Sequence, residues 1–378
     1  MEFAMPSRRS VLAMLAAAPF VTACVPANLP DPAAAWRAPG AGEADPRRFC
    51  LAHAILAPNP HNRQPWLVEL VGDDEIVLFV DLERLLPATD PFNRQITLGC
   101  GAFLEMFDLA ARSLGRRAEI AIWPEGEPQP LLDARPIARI RLTGESAARD
   151  PLFEHILARR TNREAYEART VESEAFAAMA AAAGEAVAFG SASGGEVRDA
   201  LRTLAWTAFE REILTPAAYQ ESVDLMRIGA AEIARYRDGI PLDGAMIEAA
   251  RAVGLINREI MSDVNHPMVK QGYEAYRPLA LDAPAFAWIT TTDNTRATQI
   301  AAGRAYARMN LAATRAGVSI HPWSQALQEY PEMAALMADA ERIMNAPGEA
   351  RVQMFVRAGY APTIAPAPRR GLEEHIRA

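Results

Sequence analysis

The chain has 378 residues, half of them hydrophobic, so a large core is available, and the length allows two domains or one large one. A net charge of −8 spread without long runs, with Lys270 as the only lysine, argues against a chain-wide attraction to nucleic acid, which shows as a basic patch or stripe. Three cysteines make no disulfide framework; Cys50 and Cys100 read as buried free thiols, with one disulfide between them as the alternative.

In chain order, "SRRSVLAMLAAAPFVTAC" places Arg8-Arg9 before an apolar stretch too short for a comfortable membrane span. The arginine pair resembles a twin-arginine export signal, and "VTAC" resembles a lipobox in which Cys24 is lipidated. The alternative is a plain signal peptide with an accidental Cys24. Either way the protein is expected outside the cytoplasm, periplasmic or anchored to a membrane only through Cys24. Residues 1–44 read as signal plus Pro/Ala/Gly-rich flexible tether.

A helix is expected over Pro46 to Leu56, then the loop "APNPHNRQPW", Ala57 to Trp66. Pro60 lacks an N–H and pushes Asn59 to extended angles, so the helix cannot continue. The loop concentrates amide and ring side chains suited to a flat polar ligand; its other reading is a surface turn. "WLVEL" and "EIVLFVD" flank Gly72-Asp73-Asp74 as a hairpin. A long helix follows Asp90-Pro91 and runs to Gly115. "AEIAIWP" and "ARIRLTG" read as strands.

Near Pro151 the pattern restarts. "PLFEHILARRTNREAY" reads as a helix breaking into a polar loop, "ESEAFAAMAAAAG" as a helix and "EAVAFGS" as a strand. Helices follow from Gly195 to Ala252. The stretch 254–281 has no clear period and reads as a lid or insertion. "AFAWITTTD" is a strand, and a long helix ends at Gly317. "VSIHPWSQ", a last helix, the strand "ARVQMFVRAGY" and a tail complete the chain. Two halves, 45–150 and 151–378, thus share a coarse element order.

Three stretches, "APNPHNRQPW", "RRTNREAY" and "GY…PRR", together resemble the FMN-dependent nitroreductase family. The likeness is greatest to its exported, internally duplicated branch, typified by the mycobacterial dormancy-associated proteins. The resemblance runs from about Arg47 to Arg370. Asn62, Gln64, Pro65 and Trp66 match the family loop, with Asn59 where serine is usual. Arg159, Thr161 and Arg163 match its phosphate motif R-x-S-x-R, and independently two guanidiniums and a hydroxyl suit a phosphate dianion. A solvated helix end is the other reading of that motif.

The resemblance implies an α+β, nitroreductase-like fold. Two fused pseudo-repeat halves would each hold a mixed or antiparallel sheet and helices around a long central helix. It implies one FMN per chain, because the first half carries the asparagine loop and the second the phosphate motif, so that a monomer acts as a pseudo-dimer. The implied FMN site comprises Asn59, Pro60, His61, Asn62 and Gln64 at the ring edge or ribityl chain. Arg159, Thr161, Arg163 and Arg369 or Arg370 anchor the phosphate, and Asn162, within the same motif, is also expected to bind the cofactor. Pro322, Trp323, Ser324 and Gln325 face the flavin N5, although core packing explains Trp323 equally well. No side chain acts as acid or base at the ring, since the flavin carries the chemistry, and the six histidines show no metal spacing.

The implied activity is transfer of hydride or electrons through flavin N5 to a small acceptor, such as a nitroaromatic or a quinone. Because NAD(P)H is scarce outside the cytoplasm, an FMN-storing protein with little turnover is the alternative. A degenerate scaffold without flavin is the third.

Overall fold

The structure is a computed structural model and describes residues 28–377; Arg8, Arg9 and Cys24 lie outside the described residues. Helix α1 (Pro46–Ala54) starts as its sequence dictates. Pro46 takes the first position, where its missing N–H costs nothing, and the Asp45 carboxylate accepts from the Arg47 N–H. Strands β1 (Trp66–Val71) and β2 (Glu75–Val80) form the expected antiparallel hairpin, with Trp66 opposite Val80. Helix α2 (Arg94–Ser113) begins four residues after Asp90, whose carboxylate nevertheless accepts from the Gln95 and Ile96 N–H groups at 3.0 and 2.9 Å. Strands β3 (Arg116–Ile122) and β4 (Ala138–Ser146) complete an antiparallel sheet of order β1-β2-β4-β3.

The second half repeats this plan. Helix α3 (Ser173–Ala183) precedes β5 (Ala188–Ala192). The helical middle holds α4 (Gly195–Leu214), α5 (Pro216–Leu225), β6 (Met226–Ile228), α6 (Ala230–Tyr236), β7 (Ile240–Leu242), α7 (Ala245–Ala252), α8 (Arg258–Ser262), α9 (Pro267–Glu274) and α10 (Arg277–Leu281). After it come β8 (Ala285–Thr291), helix α11 (Arg296–Arg315), β9 (Ser319–Pro322) and β10 (Arg351–Gly359). Their antiparallel sheet has the order β5-β8-β10-β9. Helices α2 and α11, twenty residues each, cross at the centre of the main core, which draws side chains from both halves. Glycines permit the crossing: a Cβ on Gly101 would collide with the Ile300 carbonyl, and one on Gly303 with that of Leu98. Each central helix also opens with a buried arginine that reaches into the other half. Arg94 bonds Glu329 and Gln353, while Arg296 bonds the carbonyls of Phe92 and Pro130. The two halves thus share one core and exchange arginines across it.

The structure departs from expectation in four places. The helix expected before the phosphate motif is a single 3-10 turn, Pro151–His155, capped by Asp150, so "RRTNR" lies in an extended loop rather than at a helix end. The stretch 254–281 is not irregular. It forms three short helices, Arg258–Ser262, Pro267–Glu274 and Arg277–Leu281, each with apolar side chains turned inward at a few positions too sparse to show a period. The tail leaves the second half and returns to the first, where the Val68 N–H donates to the His375 carbonyl and the Arg377 N–H to that of Val68. Residues 28–44, expected as tether, are part of the fold. Trp36 is buried there, and the Arg369 N–H donates to the Pro32 carbonyl. Among the described residues, no helix is long and apolar enough to cross a membrane.

Candidate functional site

The loop after α1 is held in a conformation that side chains rarely adopt. His61, Asn62 and Gln64 have φ of 47°, 52° and 51°, in the left-handed region, and such a cluster persists only where surrounding contacts over-determine it. Those contacts are visible. The Asn59 carboxamide oxygen accepts from the Gln64 N–H at 2.7 Å, and its Nδ2 donates to the Ala57 carbonyl at 3.1 Å. Asn62 donates to the Pro368 carbonyl at 3.0 Å and accepts from the Arg369 guanidinium. Gln64, fully buried, donates to the Arg237 carbonyl at 2.8 Å and accepts from the Arg370 N–H at 2.9 Å. Gly99 on α2 gives the loop its seat, since a Cβ there would press on Asn59 at 3.3 Å.

Two guanidiniums converge on the end of α1. Arg159 Nη2 donates to the Leu56 carbonyl and Arg369 Nη2 to that of Ala57, each at 3.1 Å. Both side chains are almost wholly buried, at 3% and 4% exposure, yet Arg159 Nε and Nη1 and Arg369 Nε have no hydrogen-bond partner. Burial pushes Arg159 down to about 10. Burial, followed by the charge of Arg159, pushes Arg369 to about 9. A guanidinium does not surrender its proton in a protein, so these shifts express charge buried without compensation. No carboxylate pairs with Arg159, Arg163 or Arg369 among the described residues. Unpaired charge and idle N–H donors at one place are what an incoming phosphate would satisfy, so the residues present fit a phosphate-bearing cofactor.

Beside this cradle, Arg163 is exposed and His61 is half-buried. Burial, then the charges of Arg163 and Arg63, push the His61 imidazole down to about 4; it is neutral at physiological pH, and its Nδ1 has no partner. The Thr161 hydroxyl is half-buried and meets no protein partner among the described residues. His321 is also neutral, held well below the usual range by burial and then by Arg357. Its Nδ1 accepts from Arg357 Nε at 3.0 Å, which leaves the proton on Nε2.

Other expected site residues serve the scaffold. Asn162 donates to the Pro362 carbonyl and accepts from the Glu164 N–H, tying the phosphate loop down, while its own N–H joins that loop to the Ile320 carbonyl. Arg370 donates to the Gln64 carbonyl at 2.8 Å and lies 3.2 Å from His375, so Arg369 alone of the pair enters the cradle. Pro60 opens the 3-10 turn Pro60–Asn62, and Pro322 pairs with Val356 at the end of β9. The Trp323 N–H donates to the Phe355 carbonyl at 2.9 Å and its indole to that of Ala205 at 3.0 Å. Ser324 Oγ donates to the same Phe355 carbonyl. These donors are spent within the sheet and the second core, because Trp323 follows β9 directly and continues its pairing with β10. Gln325 keeps a buried carboxamide oxygen without a partner.

Sequence reasoning missed Trp36, Tyr306 and Arg357. Tyr306, on α11, is buried and interacts with both Arg159 and Arg163; burial pushes its phenol up to about 12. Its place could be found only from the helix crossing. The segment that touches the asparagine loop is also not 254–281 but Arg237–Gly239. The Gly239 N–H donates to the Asn62 carbonyl at 3.2 Å, and Asp238 binds Arg84 and Arg227 at 2.7 and 2.8 Å. From the expected lid, the Leu279 carbonyl accepts from Arg357 at 3.4 Å, and Tyr276 lies within electrostatic reach of Arg163.

Comparison with known proteins adds relatives of two kinds. The chain is 27% identical over 352 residues to the Mycobacterium tuberculosis protein named "Putative NAD(P)H nitroreductase Rv3131", covering 88% of this chain and 92% of that one. It is 41% identical over 71 residues to "Putative NAD(P)H nitroreductase acg" of the same organism, a match that spans 19% of this chain and only 21% of the relative's length. No family model matches. Among solved structures, the FMN-dependent nitroreductase NfnB of Mycobacterium smegmatis in complex with NADPH aligns at 23% identity, covering 60% of this chain and 97% of that one, with a TM-score of 0.37. A Bacteroides fragilis nitroreductase with bound FMN aligns at 14% identity over 59% of this chain and 94% of that one, with a TM-score of 0.35.

Proposed function

We propose a function from the premise that this chain is a nitroreductase-family protein of the Acg-like branch. It is an FMN-dependent oxidoreductase of the nitroreductase type, with one FMN per chain. The observation that carries the reading is the convergence of Arg159 and Arg369, both with idle N–H groups, on consecutive carbonyls at the end of α1. Bound FMN supplies hydride or electron transfer to a small acceptor. The chain's own contribution is to bind and orient. Arg159, Arg163, Arg369 and the Thr161 hydroxyl hold the phosphate, and the strained asparagine loop fixes the cradle's rim. His61, half-buried, and His321, buried, are held neutral by burial and by charges that include Arg163, so neither changes charge near pH 7.

We further propose export by the twin-arginine route, with Cys24 as the only membrane attachment, and a nitroaromatic or quinone acceptor. That route carries folded proteins, which suits a cofactor loaded before export. The purified protein is expected to be yellow, to release FMN rather than FAD on denaturation, and to be reoxidised by a nitroaromatic or a quinone after reduction. Titration with NAD(P)H, quinols and dithionite identifies the donor.

A second reading, FMN storage with little turnover, draws on the contacts of Arg237–Gly239 with the asparagine loop and of Leu279 with Arg357, which crowd the site. A bound flavin that only dithionite reduces would favour storage. A colourless protein that takes up no added FMN would overturn both readings.

A further inference from the structure

One wall of the cradle has no counterpart among the sequence expectations. Trp36, 7% exposed, stands among three guanidiniums, with the carbons of Arg160, Arg369 and Arg159 at 5.2, 5.5 and 5.6 Å from its ring centroid. Its indole N–H donates to the Ala367 carbonyl at 2.8 Å, and the Arg369 N–H donates to the Pro32 carbonyl at 2.9 Å. Asp31 braces the segment by accepting from the Ala33 N–H and pairing with Arg37 at 2.7 Å. The strap Asp31–Arg37 and the tail 362–370 thus lie against each other behind the cradle.

An aromatic face here does what a carboxylate could not. The ring's quadrupole attracts a guanidinium, but the ring carries no net charge. Three mutually repelling cations are therefore held together while their field stays available to an anion. A carboxylate in the same place would steady the arginines by neutralising them.

We propose that Trp36 is a cofactor-positioning residue, that the strap Asp31–Arg37 is the back wall of the phosphate cradle, and that cofactor binding and strap docking are linked. This rests on the phosphate reading of Arg159 and Arg369. Linkage is reciprocal: if a docked strap favours the bound phosphate, the bound phosphate holds the strap down by the same factor.

The test compares FMN with riboflavin, which lacks the phosphate, on the full chain and on Trp36→Ala and Trp36→Phe. In the wild type FMN binds more tightly than riboflavin. Trp36→Ala weakens FMN roughly 10- to 100-fold, the scale of two or three cation–π contacts, and leaves riboflavin nearly unchanged; Trp36→Phe retains most of the FMN affinity. Hydrogen exchange on the wild type gives a readout that needs no variant: amides of residues 33–37 slow when FMN binds. Unchanged FMN affinity in Trp36→Ala, an equal fall for both ligands, or strap exchange indifferent to FMN overturns the proposal while leaving the phosphate reading intact. A wild type that does not prefer FMN overturns the phosphate reading first, and the Trp36 proposal with it.

Discussion

Arg159 brings a full charge into a place where no carboxylate meets it, and that imbalance makes its removal informative. A buried charge replaced by an apolar side chain of similar volume is often neutral or stabilising, whereas loss of a charge-assisted bond to a ligand is not. Arg159→Met is therefore expected to leave the melting temperature of the cofactor-free protein unchanged or raised, while FMN affinity falls about 100-fold and riboflavin affinity little. Calorimetry and flavin titration check both signs together. Glu212 makes a different case. It is buried, accepts from Gln328 at 2.8 Å and from Ser222 at 3.3 Å, and burial pushes its carboxyl from 4.5 up to about 7. Between those values the folded chain holds a proton that the unfolded chain has released, so this group's contribution to stability falls as pH rises from about 4.5 to 7. Glu212→Gln removes the proton linkage. Its stability relative to the wild type is expected to climb over that window, by about 1–3 kcal/mol at pH 7 and above. Urea denaturation at pH 4.5, 6 and 8 measures the climb, and a flat difference would contradict it.

Helices α2 and α11 hold the two halves at a distance that only glycine allows. Gly303→Ala would drive a methyl group into the Leu98 carbonyl on a facing backbone, where no side chain can turn aside. The expected loss is about 3 kcal/mol, read as a lower urea midpoint, with weaker FMN binding because Tyr306 on α11 and the asparagine loop, which follows α1 and is seated against Gly99 of α2, shift together. An alanine variant of wild-type stability would show that the crossing is looser than described. The elements also show what was legible. Proline and aspartate at the start of α1, the β1–β2 turn and the two long helices announce themselves by local chemistry, whereas the pairing of asparagine loop with phosphate motif is an expectation of the family resemblance alone. The three helices within 254–281 were not, because each is a turn or two long and buries too few side chains to leave a period. The strap was hidden because one tryptophan in a Pro/Ala/Gly-rich stretch has no pattern to join. Asn62 and Gln64 are expected at the flavin ring or ribityl chain, but in the structure their amides accept from Arg369 and from the Arg370 N–H, and nothing local in a sequence reveals a partner some 300 positions away.

The described molecule holds two sheets of the same strand order around one pair of central helices. Two antiparallel sheets of matching order flank two crossed helices, and Arg94 and Arg296 exchange places across the divide. The two halves differ in their chemistry. Near the start of the first, Arg47 is committed to Asp45 and to the carbonyls of Gly72 and Glu75. Among the described residues, Arg159 and Arg369 keep guanidinium N–H groups without partners in one cradle, whose parts come from both halves and both ends of the described chain. The most direct test of this account is the flavin stoichiometry of the monodisperse protein after saturation with FMN, measured by absorbance against protein concentration. The account predicts one FMN per chain. Two per chain, or none, would contradict it.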